Sequence, residues 1–425
     1  MEFTHVLRKK LADEKAPEVF SRWYESAASQ PQRYLETVRG FENAFGTDHK
    51  AALFSSPGRC EFIGNHTDHQ QGRVVAAAIT LDVVAAAAPN GTRTVRIVSE
   101  GYTAAIVDLE DLAPRARELG ETAALIRGVA AGLTRFGFSP AGFDAYVSSQ
   151  LPSGAGLSSS AAFECLLGTI FNSLFCGGTA TPVQIARAGR LAESEYFGKP
   201  CGLMDQLACA VGGFAAMDLT DPANPQVRRL SFSVEQHALS LFAVNTGGSH
   251  ADLINQYAAI PAEMKAVAAF FGQQLLCSVP EETFWAQLGN LHGQVPDRAI
   301  LRAIHFFEED GRAARMVDAL AKENTPEVLG LLAASGRSSQ QLLQNAWPDA
   351  NPEERGLSLA MALSEHLLQN QGACRIHGGG FAGSILALMP STLAAGYRQS
   401  MEAVFGLGSC RQLAIRPEGA AELFL

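Results

Sequence analysis

The segment from Leu151 to Ala162, LPSGAGLSSSAA, constrains this chain most. It follows the strand-like run DAYVSS (144–149) and leads into the long apolar run AAFECLLGTIFNSLF (161–175). A strand, a glycine-serine loop and a helix therefore follow in order. The first N–H groups of such a helix point at the loop and favour an anion there. Gly154 and Gly156 let the backbone approach a ligand closely, and Ser158, Ser159 and Ser160 add three hydroxyls. A phosphate-binding loop is one reading of these residues, and a glycine-serine turn with an ordinary N-cap is the other. The loop lacks the lysine of a P-loop. Ser159 stands where G-x-G-x-x-G needs its third glycine, so the dinucleotide fingerprint is poor.

The rest of the chain bounds the function. Its 425 residues are 47% hydrophobic and 18% charged, an ordinary globular mix with length for a large core. At about 150 residues per domain, two or three domains are expected. The 33 Lys and Arg against 43 Asp and Glu give a net charge of -10. That balance argues against a general nucleic-acid binder but leaves room for a small anion at a local site. Eight cysteines contain no C-x-x-C pair, so a disulfide scaffold and a structural zinc site are not expected. The N-terminal MEFTHVLRKKLADEK lacks a basic-then-apolar signal pattern. The apolar window 74–88 falls short of the ~20 residues of a membrane span and contains Asp82. The expectation is a cytoplasmic protein, a monomer or weak homo-oligomer, with no nucleic-acid or membrane partner.

Three further segments carry chemistry. SPGRCEFIGNHTDHQQG (56–72) packs Arg59, Glu61, Asn65, His66, Asp68 and His69 between glycines. Such a cluster of hydrogen-bonding side chains suits a polyol. A metal site and a plain polar loop are the other readings of it. AESEYFGKPCGLMDQLACAVGG (192–213) places Glu193 on a helix and Asp205 at the start of an apolar stretch. There Asp205 is an N-cap or a functional carboxylate. GACRIHGGGFAGSILAL (372–388) sets a glycine cluster beside a strand, which alone reads as a glycine-rich turn.

Together the four segments resemble the GHMP small-molecule kinases, and among them the galactokinases. The galactokinase pattern G-R-V-N-L-I-G-E-H-T-D-Y stands here as GRCEFIGNHTDH, P-x-G-x-G-L-S-S-S-A as PSGAGLSSSA, C-G-I-M-D-Q as CGLMDQ, and M-T-G-x-G-F-G-G as IHGGGFAG. The resemblance implies an α+β, two-lobe GHMP kinase fold, with mixed and antiparallel sheets covered by helices and the active site between the lobes. The expected division is an N-terminal helical extension (1–50), an N-terminal lobe (51–215) and a C-terminal lobe (216–425). It also implies phosphorylation of a sugar at its anomeric hydroxyl by ATP with Mg²⁺. By motif, Asp205 and Arg59 would be catalytic. Gly154, Ala155, Gly156, Leu157, Ser158, Ser159 and Ser160 would hold ATP, and Ser160 and Glu193 the Mg²⁺. Asn65, His66, Thr67, Asp68 and Tyr257 would bind the sugar.

Some positions depart from the pattern. Asn65 stands where galactokinases carry Glu, Glu61 where they carry Asn, His377 in place of Thr, and Ala382 in place of Gly. An Asn that faced the sugar's C6 would accept a carboxylate that Glu repels. HTDHQQG also resembles the H-x-D-H-Q-G-G of plant galacturonate kinases. Galactose is therefore the expected substrate and galacturonate the alternative, with L-arabinose or N-acetylgalactosamine behind them. A galactokinase-like sugar sensor without turnover belongs to another class. Sensors of that kind lose residues just after the serine run, and Ser160-Ala161-Ala162 is intact here.

Overall fold

A computed structural model describes residues 1–152, 156–248, 253–349 and 351–425. Strands β1 (Glu2–Phe3), β2 (Lys50–Ile63), β3 (Arg73–Pro89), β4 (Thr94–Ser99), β5 (Ala105–Asp108), β6 (Phe143–Ser149), β7 (Phe214–Asp218) and β8 (Gln226–Leu230) belong to one nine-stranded sheet. Strands β9 (Leu239–Asn245), β10 (Ala373–His377), β11 (Ser384–Pro390) and β12 (Cys410–Leu413) form a second sheet in the order β10-β11-β9-β12, antiparallel throughout. The last strand, β13 (Ala421–Leu423), returns to the first sheet and pairs with β2. In the first sheet the order runs β1-β2-β3-β6-β4-β5, and β4 with β6 is its parallel pair.

The alanine-rich β3 shows why this sheet sits between two layers. Val83, Ala85 and Ala87 face one apolar cluster, while Val84, Ala86 and Ala88 face another. That is the period-two alternation of a strand buried on both sides. The helix Ser159–Phe175 packs on the first face. On the second lie Leu7, Phe20, Trp23, Tyr34, Val38 and Phe41 of the first 45 residues. The expected N-terminal extension is thus a layer of the fold. The lobe division expected after 215 does not follow the sheets, because β7 pairs with β3 and β8 with β7.

Helices Gly356–Leu368 and Ala394–Phe405 cover the second sheet. Ile254–Phe270, Glu281–Ala286 and the first part of Asp297–Ala321 share a second core, while Ala313, Met316 and Leu320 of the last helix join the main one. The segment 56–72, one reading of which is a polar loop, is strand as far as Ile63 and turns only at Gly64. Two register shifts, between Pro57 and Arg59 and between Glu61 and Ile63, accommodate it in the ladder. Such bulges bend a strand and re-aim its side chains. Among the described residues, no helix is long and apolar enough to cross a membrane.

Candidate active site

Arg59 leaves β2 between the two bulges and meets Asp205, in the first turn of the helix Met204–Val211. The contact is a two-pronged ion pair: Nε donates to Oδ1 at 2.7 Å and Nη2 to Oδ2 at 2.8 Å. Arg59 Nη1 donates to the Gly156 carbonyl at 2.5 Å. Planar fork-to-carboxylate pairing fixes both side chains in orientation. Asp205 does not cap its helix, whose N-cap is Leu203. Its side chain is 31% exposed while that of Arg59 is 5% exposed, so the carboxylate faces the open space and the guanidinium is its buried support. Burial pushes the Asp205 carboxyl up, but the charge and hydrogen bonds of Arg59 and the Ser158 hydroxyl outweigh it and hold the group below the usual range.

Gly154 and Ala155 lie outside the described residues. Gly156 has φ +73°, and the Leu157 carbonyl accepts from the Arg59 N–H at 3.2 Å. Ser158, at φ 58°, is the N-cap of the helix Ser159–Phe175, but its hydroxyl turns away from that helix and donates to Asp205. Ser159 opens the helix, and Ser160 Oγ donates to Glu193 Oε1 at 2.9 Å. Glu193 sits in a π-type turn, Ala192–Phe197, that widens the end of the helix Pro182–Leu191. Its Oε1 also accepts from Lys199 Nζ at 2.7 Å, and its Oε2 from Gln206 Nε2 at 2.9 Å. One hydroxyl and one carboxylate are hard oxygen donors, and they fit Mg²⁺, which takes few protein ligands and completes its shell with phosphate and water. Among the described residues, no three His, Cys, Asp or Glu side chains cluster as a metal cage.

The turn after β2 presents the expected sugar residues unequally. His66 (φ 61°) has Nε2 3.0 Å from the Gly379 carbonyl and Nδ1 3.1 Å from His69 Nε2. Asp68 accepts the His69 N–H at 2.8 Å, and its Oδ2 lies against Gly202, where a Cβ would stand 1.6 Å away. Glycine at 202 is therefore what admits Asp68 beside the Asp205 segment. Tyr257 packs on Gly379 and donates to the Gly380 carbonyl at 3.0 Å. Thr67 and Asn65 spend their side chains on protein groups. Thr67 is fully buried and its hydroxyl bonds the carbonyls of Gly64 and Arg73, closing the turn. Asn65 is also fully buried. Its Nδ2 donates to Glu61 Oε1 at 2.9 Å and the Gly378 carbonyl at 2.8 Å. Its Oδ1 accepts from Asn345 Nδ2 at 2.9 Å and Ser339 Oγ at 3.2 Å. An amide has two N–H groups and two lone pairs to offer, and here protein groups use all four.

Comparison with known proteins now adds to the geometry. Residues 39–89 match the galactokinase galactose-binding signature, and residues 108–213 match the GHMP kinases N terminal domain. Over those residues the chain is similar to the GHMP kinases and carries the galactokinase galactose-binding signature. A galactokinase from Lactococcus lactis, solved with galactose, shares this fold at a TM-score of 0.77 and 23% identity, over 92% of this chain and 99% of that one. A D-glycero-D-manno-heptose 1-phosphate kinase from Bacteroides thetaiotaomicron follows at 0.59 and 16%, over 88% and 99%. The L. major mevalonate kinase, solved with R-mevalonate, stands at 0.57 and 13%, over 87% and 98%. The two-lobe α+β architecture is thus the GHMP kinase fold.

Several residues of this site escape a reading by motif. Lys199 and Gln206 lie inside the 192–213 segment, and the signal for them was their adjacency to Glu193 and Asp205. Arg375, whose Nη2 meets Glu61 Oε1 at 2.5 Å, and Asn345 carry no local signal, because their partners are hundreds of residues away in sequence. Glu309 is the same case: it accepts the Gly64 N–H at 3.0 Å from the helix Asp297–Ala321.

Proposed function

We propose that this chain is an ATP- and Mg²⁺-dependent sugar-1-kinase with galactose as its acceptor. The observation that carries this reading is the Arg59–Asp205 pair standing at the serine loop, with the half-buried carboxylate touching Ser158. In the reaction, the anomeric oxygen forms a bond to the terminal phosphorus of ATP. The bond from that phosphorus to its bridging oxygen breaks, and ADP leaves. The hydroxyl proton passes to Asp205 and on to solvent.

Asp205 is held ionised by Arg59, which makes it a weak base and a good acceptor. Its part is to orient the hydroxyl and to take the proton late, once bonding to phosphorus has acidified the oxygen. Gly154 to Ser160 would line the phosphates, with the helix N-terminus behind them. Ser160 and Glu193 would hold Mg²⁺, which supplies charge neutralisation on the phosphates. His66, Asp68 and Tyr257 would face the sugar.

Of the two grounds for galacturonate, the HTDHQQG likeness and a free Asn65 amide, the second is weakened because that amide is spent on Glu61 and Gly378. ADP release with MgATP decides among galactose, galacturonate, L-arabinose, N-acetylgalactosamine and no sugar. Galactose is expected to turn over fastest, and turnover on galacturonate alone would reverse the substrate assignment. Binding of both ligands with no turnover would make the protein a sensor. Asp205→Asn is expected to lose roughly a hundredfold or more in kcat while ATP binding persists. A variant as active as wild type would remove Asp205 from the chemistry.

A further inference from the structure

His377 ends β10, at the position where the galactokinase pattern has Thr, and is 2% exposed. Its Nε2 lies 3.1 Å from the Glu61 backbone nitrogen. A backbone N–H only donates, so Nε2 is the acceptor and a neutral ring must carry its hydrogen on Nδ1. The ring is neutral: burial, then the Arg59 and Arg375 charges, push its pKa well below the ordinary value, and Asp205 opposes them only in part. Nδ1 is buried and has no hydrogen-bond partner among the described residues. It points at Gly156, where a Cβ would stand 3.2 Å from it. The carbonyl of that same glycine accepts from Arg59. A buried donor left unmet costs free energy, and this one is aimed into the serine loop.

We propose that His377 Nδ1–H donates a hydrogen bond to a non-bridging oxygen of the nucleotide's phosphate chain. This rests on the kinase reading above. A phosphate oxygen is an acceptor only, so it suits a ring fixed as a donor on that side. The two flanking arginines supply positive charge, and the imidazole adds direction without adding charge.

Two substitutions separate the two ring nitrogens. Asn places its amide near the position of Nδ1, and Gln places its amide near that of Nε2. The probe is the magnesium complex of a non-hydrolysable ATP analogue, titrated calorimetrically into the full chain. His377→Gln is expected to bind it about tenfold more weakly, and His377→Asn to stay within about threefold of wild type, as loss or retention of one hydrogen bond predicts. Unchanged binding in His377→Gln, or equal loss in both variants, would overturn the proposal. If neither variant folds, ¹⁵N-histidine spectra of the wild type read the same contact. The His377 Nδ1 proton is expected to shift downfield on adding the analogue, and a resonance that does not move would overturn it. A wild type that binds no nucleotide would take the kinase reading down as well, whereas binding without the His377 effects removes this inference alone.

Discussion

Glu61 and Asn65 exchange the amide and the acid that galactokinases carry at these positions in the opposite order. The exchange conserves the pair: Asn65 Nδ2 donates to the same Glu61 Oε1 that meets Arg375. Arg375 and Glu61 are both buried, so neither tolerates loss of its partner. Glu61→Asn leaves the guanidinium without a carboxylate, at a cost of roughly 3–5 kcal/mol. Asn65→Glu sets a second acid against Glu61 and strips the Gly378 carbonyl of its donor, at a cost of ~3 kcal/mol. The double exchange Glu61→Asn/Asn65→Glu returns one acid and one amide to the cluster. It is expected to recover about 2 kcal/mol over the sum of the single changes, a coupling of the size that contacting residues show. Urea unfolding of the four proteins measures it. Strict additivity would mean that the two side chains do not act as a pair.

At the level of the element, the turn 64–72 is set less by its own sequence than by what reaches it from elsewhere. Glu309 takes the Gly64 N–H, His305 Nε2 lies 2.9 Å from the Asn65 carbonyl, and Asp310 takes the Arg73 N–H at 2.6 Å. All three anchors come from the helix Asp297–Ala321. The four motifs and their strand-loop-helix settings were legible because each is contiguous and its periodicity local. These anchors were not, since a helix more than 200 residues downstream leaves no mark on the loop it holds. The same packing perturbs Asp68. Burial, with the Asp205 and Glu61 charges added, raises its carboxyl to about 7, against the His69 N–H and Arg190, which lower it. An acid raised in this way is protonated in the folded protein below about pH 7, and its ionisation costs stability as pH rises from the unfolded value towards 7. In the proposed sugar site, an ionised Asp68 is a stronger acceptor for a sugar hydroxyl than a protonated one. Affinity for the sugar is therefore expected to rise about tenfold from pH 6 to pH 8 as the ionised fraction grows, and Asp68→Asn to flatten the profile. Sugar KM against pH tests this, and a flat wild-type profile would remove Asp68 from sugar binding.

Over the whole molecule, the chain's two ends close on one buried acid in the middle of β3. Asp82 accepts from Arg33 Nη1 at 2.5 Å and Arg416 Nη1 at 2.9 Å, and also from Tyr24 and Ser55. Burial pushes the carboxyl up and the two arginines outweigh it, so the acid stays ionised. The Arg416 guanidinium in turn lies over the Trp23 ring at 4.4 Å. In the sequence, Asp82 showed only as a charge interrupting an apolar run, and its four partners, 27 to 334 residues away, gave no sign of meeting it. The arrangement makes residues 1–45 part of the fold: they cover Leu53, Val84 and Ala86 of the sheet whose other face carries the serine-loop helix. Two consequences follow for stability. Asp82→Ala leaves the buried Arg416 and the half-buried Arg33 without their carboxylate and is expected to cost roughly 3–5 kcal/mol, a large share of the 5–15 kcal/mol that holds a typical protein folded. Deleting residues 1–46 uncovers an apolar sheet face and removes two of the four donors to Asp82. The product is expected to precipitate or melt far below the full chain, rather than to persist as a shorter folded protein. Thermal unfolding followed by circular dichroism decides it: a truncated chain that keeps the full-length melting temperature would show that the N-terminal layer is dispensable and that Asp82 is satisfied by Arg416 and Ser55 alone.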